Sequence, residues 1–122
     1  MNTQLPSSQS FPDQLQRIRA NMERFTEAQP QTMQAFGTLH NASCAPGALD
    51  AKTKELIALA IAVAARCDGC IAFHTHDALN AGASSDEIAE ALSVAVLMGG
   101  GPSVMYATHV VEAIEQFSHE DD

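Results

Sequence analysis

Apolar residues in the first quarter of the chain recur at helical spacing. Phe11, Leu15, Ile18, Met22 and Phe25 fall three or four apart, one face of a helix. Pro12 suits the first turn of that helix. Pro30 breaks the pattern, and Met33, Phe36, Gly37 and His40 predict a second, shorter helix. Asn41 to Leu49, with Ser, Pro and Gly, reads as a loop. Asp50 is placed to cap a third helix over 51–65. A fourth helix is expected from Cys67 or Asp68 to about Asn80, with Gly82 as its C-terminal stop. Ser84 and Glu87 form a capping box that opens a fifth helix, with Ile88, Ala91, Leu92, Ala95 and Val96 on one face. Gly99-Gly100-Gly101-Pro102 ends it, and Pro102 suits the start of a sixth helix to about Phe117. No segment alternates as a strand. The fold class expected is all-α, a bundle of about six helices.

The third helix is the unusual one. From Leu56 to Ala65 it is apolar on every side. Such a helix must be surrounded, and a domain of 122 residues can hardly surround one with its own elements. The pattern therefore predicts a homo-oligomer with this helix near the subunit contacts. The same ten-residue run is too short for a membrane span, which needs roughly 20 residues. Residues 1–10 are polar and lack the apolar stretch of a signal peptide. They read as a disordered tail, residues 11–118 as one helical domain, and 119–122 as an acidic C-terminal tail.

Charge narrows the partners. Six basic against fifteen acidic residues give a net charge of −9. That excludes the clustered Lys and Arg that nucleic acid requires, and disfavours an anionic membrane surface. A cytoplasmic location is expected, and cytosolic thiols are kept reduced, so a disulfide there tends to be catalytic. The glycine run lacks the Lys-Ser/Thr of a phosphate-binding loop and reads as an interhelix turn.

The chemistry concentrates in Cys67-Asp68-Gly69-Cys70-Ile71-Ala72-Phe73-His74, a CxxCxxxH segment. Offsets of three and four place both thiols and the imidazole on one helix face. A helix N-terminus carries unsatisfied N–H groups and partial positive charge, which favour a thiolate. Arg66 adds to this and Asp68 opposes it. His74 can accept the thiol proton or pair with the thiolate. A second thiol three residues away can turn a sulfenic acid into a disulfide. Glu55 is the only carboxylate between Asp50 and Asp68, just before the apolar run, where poor solvation suits it to hold a proton.

Metal is the rival chemistry. Cys67, Cys70 and His74 with Glu55 or His109 could hold zinc, but no second CxxC or HxxxH is present, so neither a metal nor a cofactor is expected. His76 is expected to be structural or exposed, and His109 a buried or interface residue. His40 and His119 carry no signal. Cys44 is expected to be a packed thiol, and Met98 and Met105 core filler.

The stretch Leu49 to Ala60, the CxxCxxxH segment, Ala81 to Ala91 and Gly99 to Pro102 together resemble the carboxymuconolactone decarboxylase superfamily, and within it the alkylhydroperoxidase AhpD-like branch. The resemblance spans roughly residues 30–117. It implies an all-helical fold in trimers or hexamers. It also implies hydroperoxide reduction, with a lipoyl-type or thioredoxin-like dithiol as donor. Carried onto this chain, it makes Cys70 the thiol that attacks the peroxide, Cys67 its resolving partner, and Glu55 with His74 a proton relay. The best-characterised branch has a second histidine just before the second cysteine; here that position is Gly69, so the relay is shorter. The decarboxylase branch lacks the CxxC, which disfavours that acid–base activity. A non-catalytic redox sensor or interaction module would share every residue named.

Overall fold

The computed structural model describes residues 10–120, and it is all-α: α1 (Phe11–Ala28), α2 (Pro30–Cys44), α3 (Ala51–Ala64), α4 (Asp68–Asn80), α5 (Ser85–Gly99) and α6 (Gly101–Glu120). No strand occurs among the described residues. The expected N-terminal tail lies outside them except for Ser10, whose side chain caps α1 by accepting from the Asp13 N–H. Of the expected C-terminal tail, Asp121 and Asp122 lie outside. His119 and Glu120 are the last turn of α6, which runs past the expected end at Phe117.

α3 is the axis of the bundle. Leu59, Ala62 and Val63 are buried against α4, α5 and α6, in a core completed by Ile71, Ile88 and Val110. α1 closes one side, where Phe11 and Leu15 are buried and the Phe11 N–H donates to Gln116 Oε1 of α6 at 2.6 Å. The Asp50 cap and the Ser84–Glu87 capping box form as the sequence predicts. Lys52 Nζ lies 2.8 Å from Glu87 Oε2, joining the start of α3 to the start of α5. That partner holds the Glu87 carboxyl below its ordinary range and Lys52 above its own.

α2 departs from expectation. It runs through Asn41, Ala42 and Ser43 to Cys44, so the expected loop begins four residues later. Pro30 starts this helix, and Pro46 ends it by pushing Ala45 into extended backbone. Lys54 Nζ donates to the carbonyls of Ser43 and Ala45 at 3.0 and 2.6 Å, satisfying the last turn. No residue of α2 is buried.

Met98 and Met105 correct another expectation. They are 78% and 59% exposed, because they sit on faces of α5 and α6 that no other element among the described residues covers. Ile57, Ile61 and Leu97 are exposed as well. No helix among the described residues is long and apolar enough to cross a membrane.

The α5–α6 corner depends on glycine twice. Gly100 has φ +72° and ψ −153°, a region that side chains make costly. A Cβ at Gly99 would collide with Ser103 Oγ, and Ser103 is buried. We therefore expect Gly99→Ala to lower unfolding free energy by about 1–3 kcal/mol. An unchanged denaturation midpoint would contradict this close approach.

Candidate active site

The turn from α3 to α4 uses one residue for two jobs. The Cys67 N–H bonds to Ala62 O and the Arg66 N–H to Val63 O, both at 3.1 Å, the paired bonds of a Schellman motif. Cys67 is also the N-cap of α4. Arg66 holds the left-handed position at φ +60°, where glycine is usual. The matching turn at the end of α4 has Gly82 there, at φ +94°. The dithiol is thus fixed by the end of one core helix and the start of the next.

Cys67 and Cys70 form a disulfide, with Cα atoms 5.2 Å apart. Cys67 Sγ accepts from the Cys70 N–H at 3.1 Å. This is the helix N-terminus acting on sulfur directly, as the sequence position implied. Cys67 is half-buried and Cys70 exposed. Cys44 is free.

His74 lies one helical turn beyond Cys70 and faces α3. Its Nδ1 is 2.7 Å from Oε1 of Glu55, which is only 8% exposed. A buried carboxylate needs such a partner. The bond fixes the imidazole through Nδ1 and does not engage Nε2. Of the residues singled out from sequence, Cys67 and Cys70 thus meet at the head of α4, and Glu55 and His74 meet between α3 and α4 one turn further along α4.

Three features were not visible in sequence. Cys44, at the end of α2, stands beside this pair. Burial pushes its thiol up from the ordinary value, with further upward pressure from the Glu55 and Asp77 carboxylates. His40 Nε2 is 3.8 Å from its sulfur, one turn back on α2. Second, donor atoms of Glu55, His74 and Asp77 lie within 4.8 Å of one another. That is the set a cation could meet, and it differs from the Cys67–Cys70–His74 set that sequence spacing suggested. Third, His109, expected to be a buried or interface residue, is partly exposed within its own chain. Its Nδ1 is 2.6 Å from Oδ1 of Asp68, which lies between the two cysteines. Only the spacing of helices, set by tertiary packing, brings these groups together.

The remaining histidines are peripheral. His76 bonds Asp77 at 3.0 Å and packs edge-on against Phe117. His119 lies in the last turn of α6. At Gly69 a Cβ would touch Ile18 Cδ1 of α1 at 3.4 Å, so Ile18 roofs the position where the fullest relay has its second histidine.

Comparisons with known proteins agree with this architecture. A carboxymuconolactone decarboxylase family protein from Legionella pneumophila superposes with a TM-score of 0.86 at 45% identity, over 88% of this chain and 96% of that one. A Thermotoga maritima protein gives 0.79 at 33% identity, over 84% and 93%. An uncharacterized protein of Cupriavidus necator is 43% identical over 94 residues, 77% of this chain and 83% of its own length. The carboxymuconolactone decarboxylase family itself matches residues 30–113. Sequence match, helical architecture and a cysteine pair at the head of α4 lead to one assignment: the chain belongs to the carboxymuconolactone decarboxylase family.

Proposed function

We propose that the protein is a dithiol oxidoreductase of the alkylhydroperoxidase type, reducing hydroperoxides through a Cys67–Cys70 disulfide cycle. The observation that carries this reading is the Glu55–His74 hydrogen bond, set one helical turn from a cysteine pair at a helix N-terminus. A second crystal structure of the same T. maritima protein, aligned at 35% identity, describes it as a candidate for involvement in an antioxidative response, which supports the same direction.

In the reduced protein His74, held by Glu55, takes the proton of Cys70. The thiolate attacks one oxygen of the hydroperoxide; the O–O bond breaks and an alcohol leaves with a proton. Cys70 becomes a sulfenic acid. Cys67 attacks that sulfur, the disulfide forms and water departs. Two electrons have passed from the thiols to the peroxide. An external dithiol, lipoyl-type or thioredoxin-like, returns them. This cycle suits the cytoplasm, where dithiols are maintained reduced.

Dithiol-dependent turnover of an organic hydroperoxide tests the reading. Cys70→Ser should abolish it. Glu55→Gln should lower kcat/KM by about 10²-fold or more, the scale of a lost acid–base group. Cys44→Ser should keep it, because a thiol whose pKa is raised stays protonated at neutral pH and is a poor nucleophile. Turnover that survives Cys70→Ser would refute the proposal.

We also infer that the working form is a homo-oligomer, a trimer or hexamer. No residue of α2 is fully buried by its own chain, and Ile57, Ile61, Leu97 and Met98 leave an apolar surface across α3 and α5. A lone amphipathic helix is marginal in water, so a second copy is the fitting cover. Sedimentation should give a multiple of the chain mass, and Ile61→Asp should reduce it. A monomeric wild type would overturn this.

A further inference from the structure

Glu55–His74 is one histidine–carboxylate pair at the dithiol; Asp68–His109 is another. Asp68 follows Cys67 directly and is the first residue of α4. Its Oδ1 lies 2.6 Å from Nδ1 of His109, 41 residues away on α6. The imidazole is placed by aromatic neighbours: the Tyr106 ring centroid is 4.9 Å away and that of Phe11, from α1, 6.5 Å. Three helices thus contribute to presenting one imidazole to one carboxylate. The proton transfer at Cys70 makes no use of it.

The charge beside the sulfur gives the pair a role. A carboxylate in the first turn suits a helix dipole. The same carboxylate, on the residue next to a cysteine, opposes a thiolate there. An imidazole N–H donated to Asp68 draws off part of that negative charge, and an imidazolium cancels it. We propose that His109, acting through Asp68, is a positioning residue that controls how readily Cys67 carries negative charge and so sets the balance between disulfide and dithiol. This rests on reading Cys67–Cys70 as a redox couple; it does not depend on a hydroperoxide being the oxidant.

The step concerned is the return of electrons. A thiolate of the external dithiol attacks Sγ of Cys70, the more exposed of the two cysteines. A new bond forms between donor and Cys70, the Cys67–Cys70 bond breaks, and its electron pair leaves on Cys67. The second donor thiolate then attacks the donor's own bonded sulfur, releasing Cys70 and an oxidised donor. The two protein sulfurs take up the protons the donor thiols gave to solvent. Cys67 is the leaving group of the first exchange, and a leaving thiol departs faster the more stable its thiolate.

The experiment is the equilibrium of the full chain with reduced and oxidised glutathione at one fixed pH, for wild type, H109F, D68N and the double variant. Phenylalanine keeps a ring between Phe11 and Tyr106 but donates nothing. D68N should move the equilibrium toward the dithiol by roughly threefold to tenfold, the effect of one charge removed from a partly exposed site nearby. H109F should move it the opposite way, toward the disulfide. In the D68N background H109F should change it by less than about twofold, because the two act as one unit.

Two results would overturn the proposal. One is an equilibrium that neither single variant moves while the thermal midpoint falls, which would make the pair a tie between α4 and α6. The other is an H109F shift that persists in full without the Asp68 charge. A wild type that shows the predicted shifts yet reduces no hydroperoxide would keep this inference and remove the peroxidase reading.

Discussion

The hydrogen bond between Glu55 and His74 is the constraint on which the site depends. It crosses from α3 to α4, between a carboxylate that is nearly buried and an imidazole on the helix that carries the dithiol. It requires α3 and α4 to pack side by side in one register. The α3–α4 turn supplies that register: Cys67 closes the last turn of α3 and caps the first turn of α4. The apolar cluster of Leu59, Val63 and Ile71 holds the two helices together. On α3, Glu55 shares the buried face with Leu59, Ala62 and Val63, so the site borders the core.

Some of the site's cost is visible in the backbone. Arg66 adopts a left-handed conformation that a non-glycine residue takes at a cost of about 1 kcal/mol or more. The equivalent corner after α4 has glycine. The strained corner is the one that delivers Cys67. The surface tells a similar story. An apolar α3 is half enclosed by its own chain, and α2 lies almost unburied along its edge, held by Lys54 through the terminal carbonyls of α2. That arrangement brings Cys44 beside Glu55 and Asp77.

How much of this could be read from the sequence depends on the range of the interaction. Local signals were reliable: Asp50, the Ser84–Glu87 box, Gly82 and Pro102 each act within a turn of their own position, and each marks a real helix end. The CxxCxxxH spacing put three groups on one face because helical geometry alone decides it. Glu55 was legible as a stranded carboxylate, although its partner was fixed only by α3–α4 packing. The misses are all tertiary. Asn41 to Ser43 look like loop residues, yet Lys54 from another helix satisfies their end of α2. Met98 and Met105 look like core, yet no described element covers them. His109 gave no local sign of Asp68, because 41 residues and a helix crossing separate the two.

The proposed cycle requires that the Glu55–His74 pair, together with the α4 N-terminus, make Cys70 the reactive thiol. The most direct measurement is the alkylation rate of each cysteine in the reduced protein at neutral pH, resolved by mass spectrometry. Cys70 should react faster than Cys44, and Glu55→Gln should slow Cys70 by about tenfold, one pKa unit in the nucleophile's ionisation. If Cys44 reacts first, or if Cys70 keeps its full rate without the Glu55 carboxylate, the relay is not what activates this dithiol.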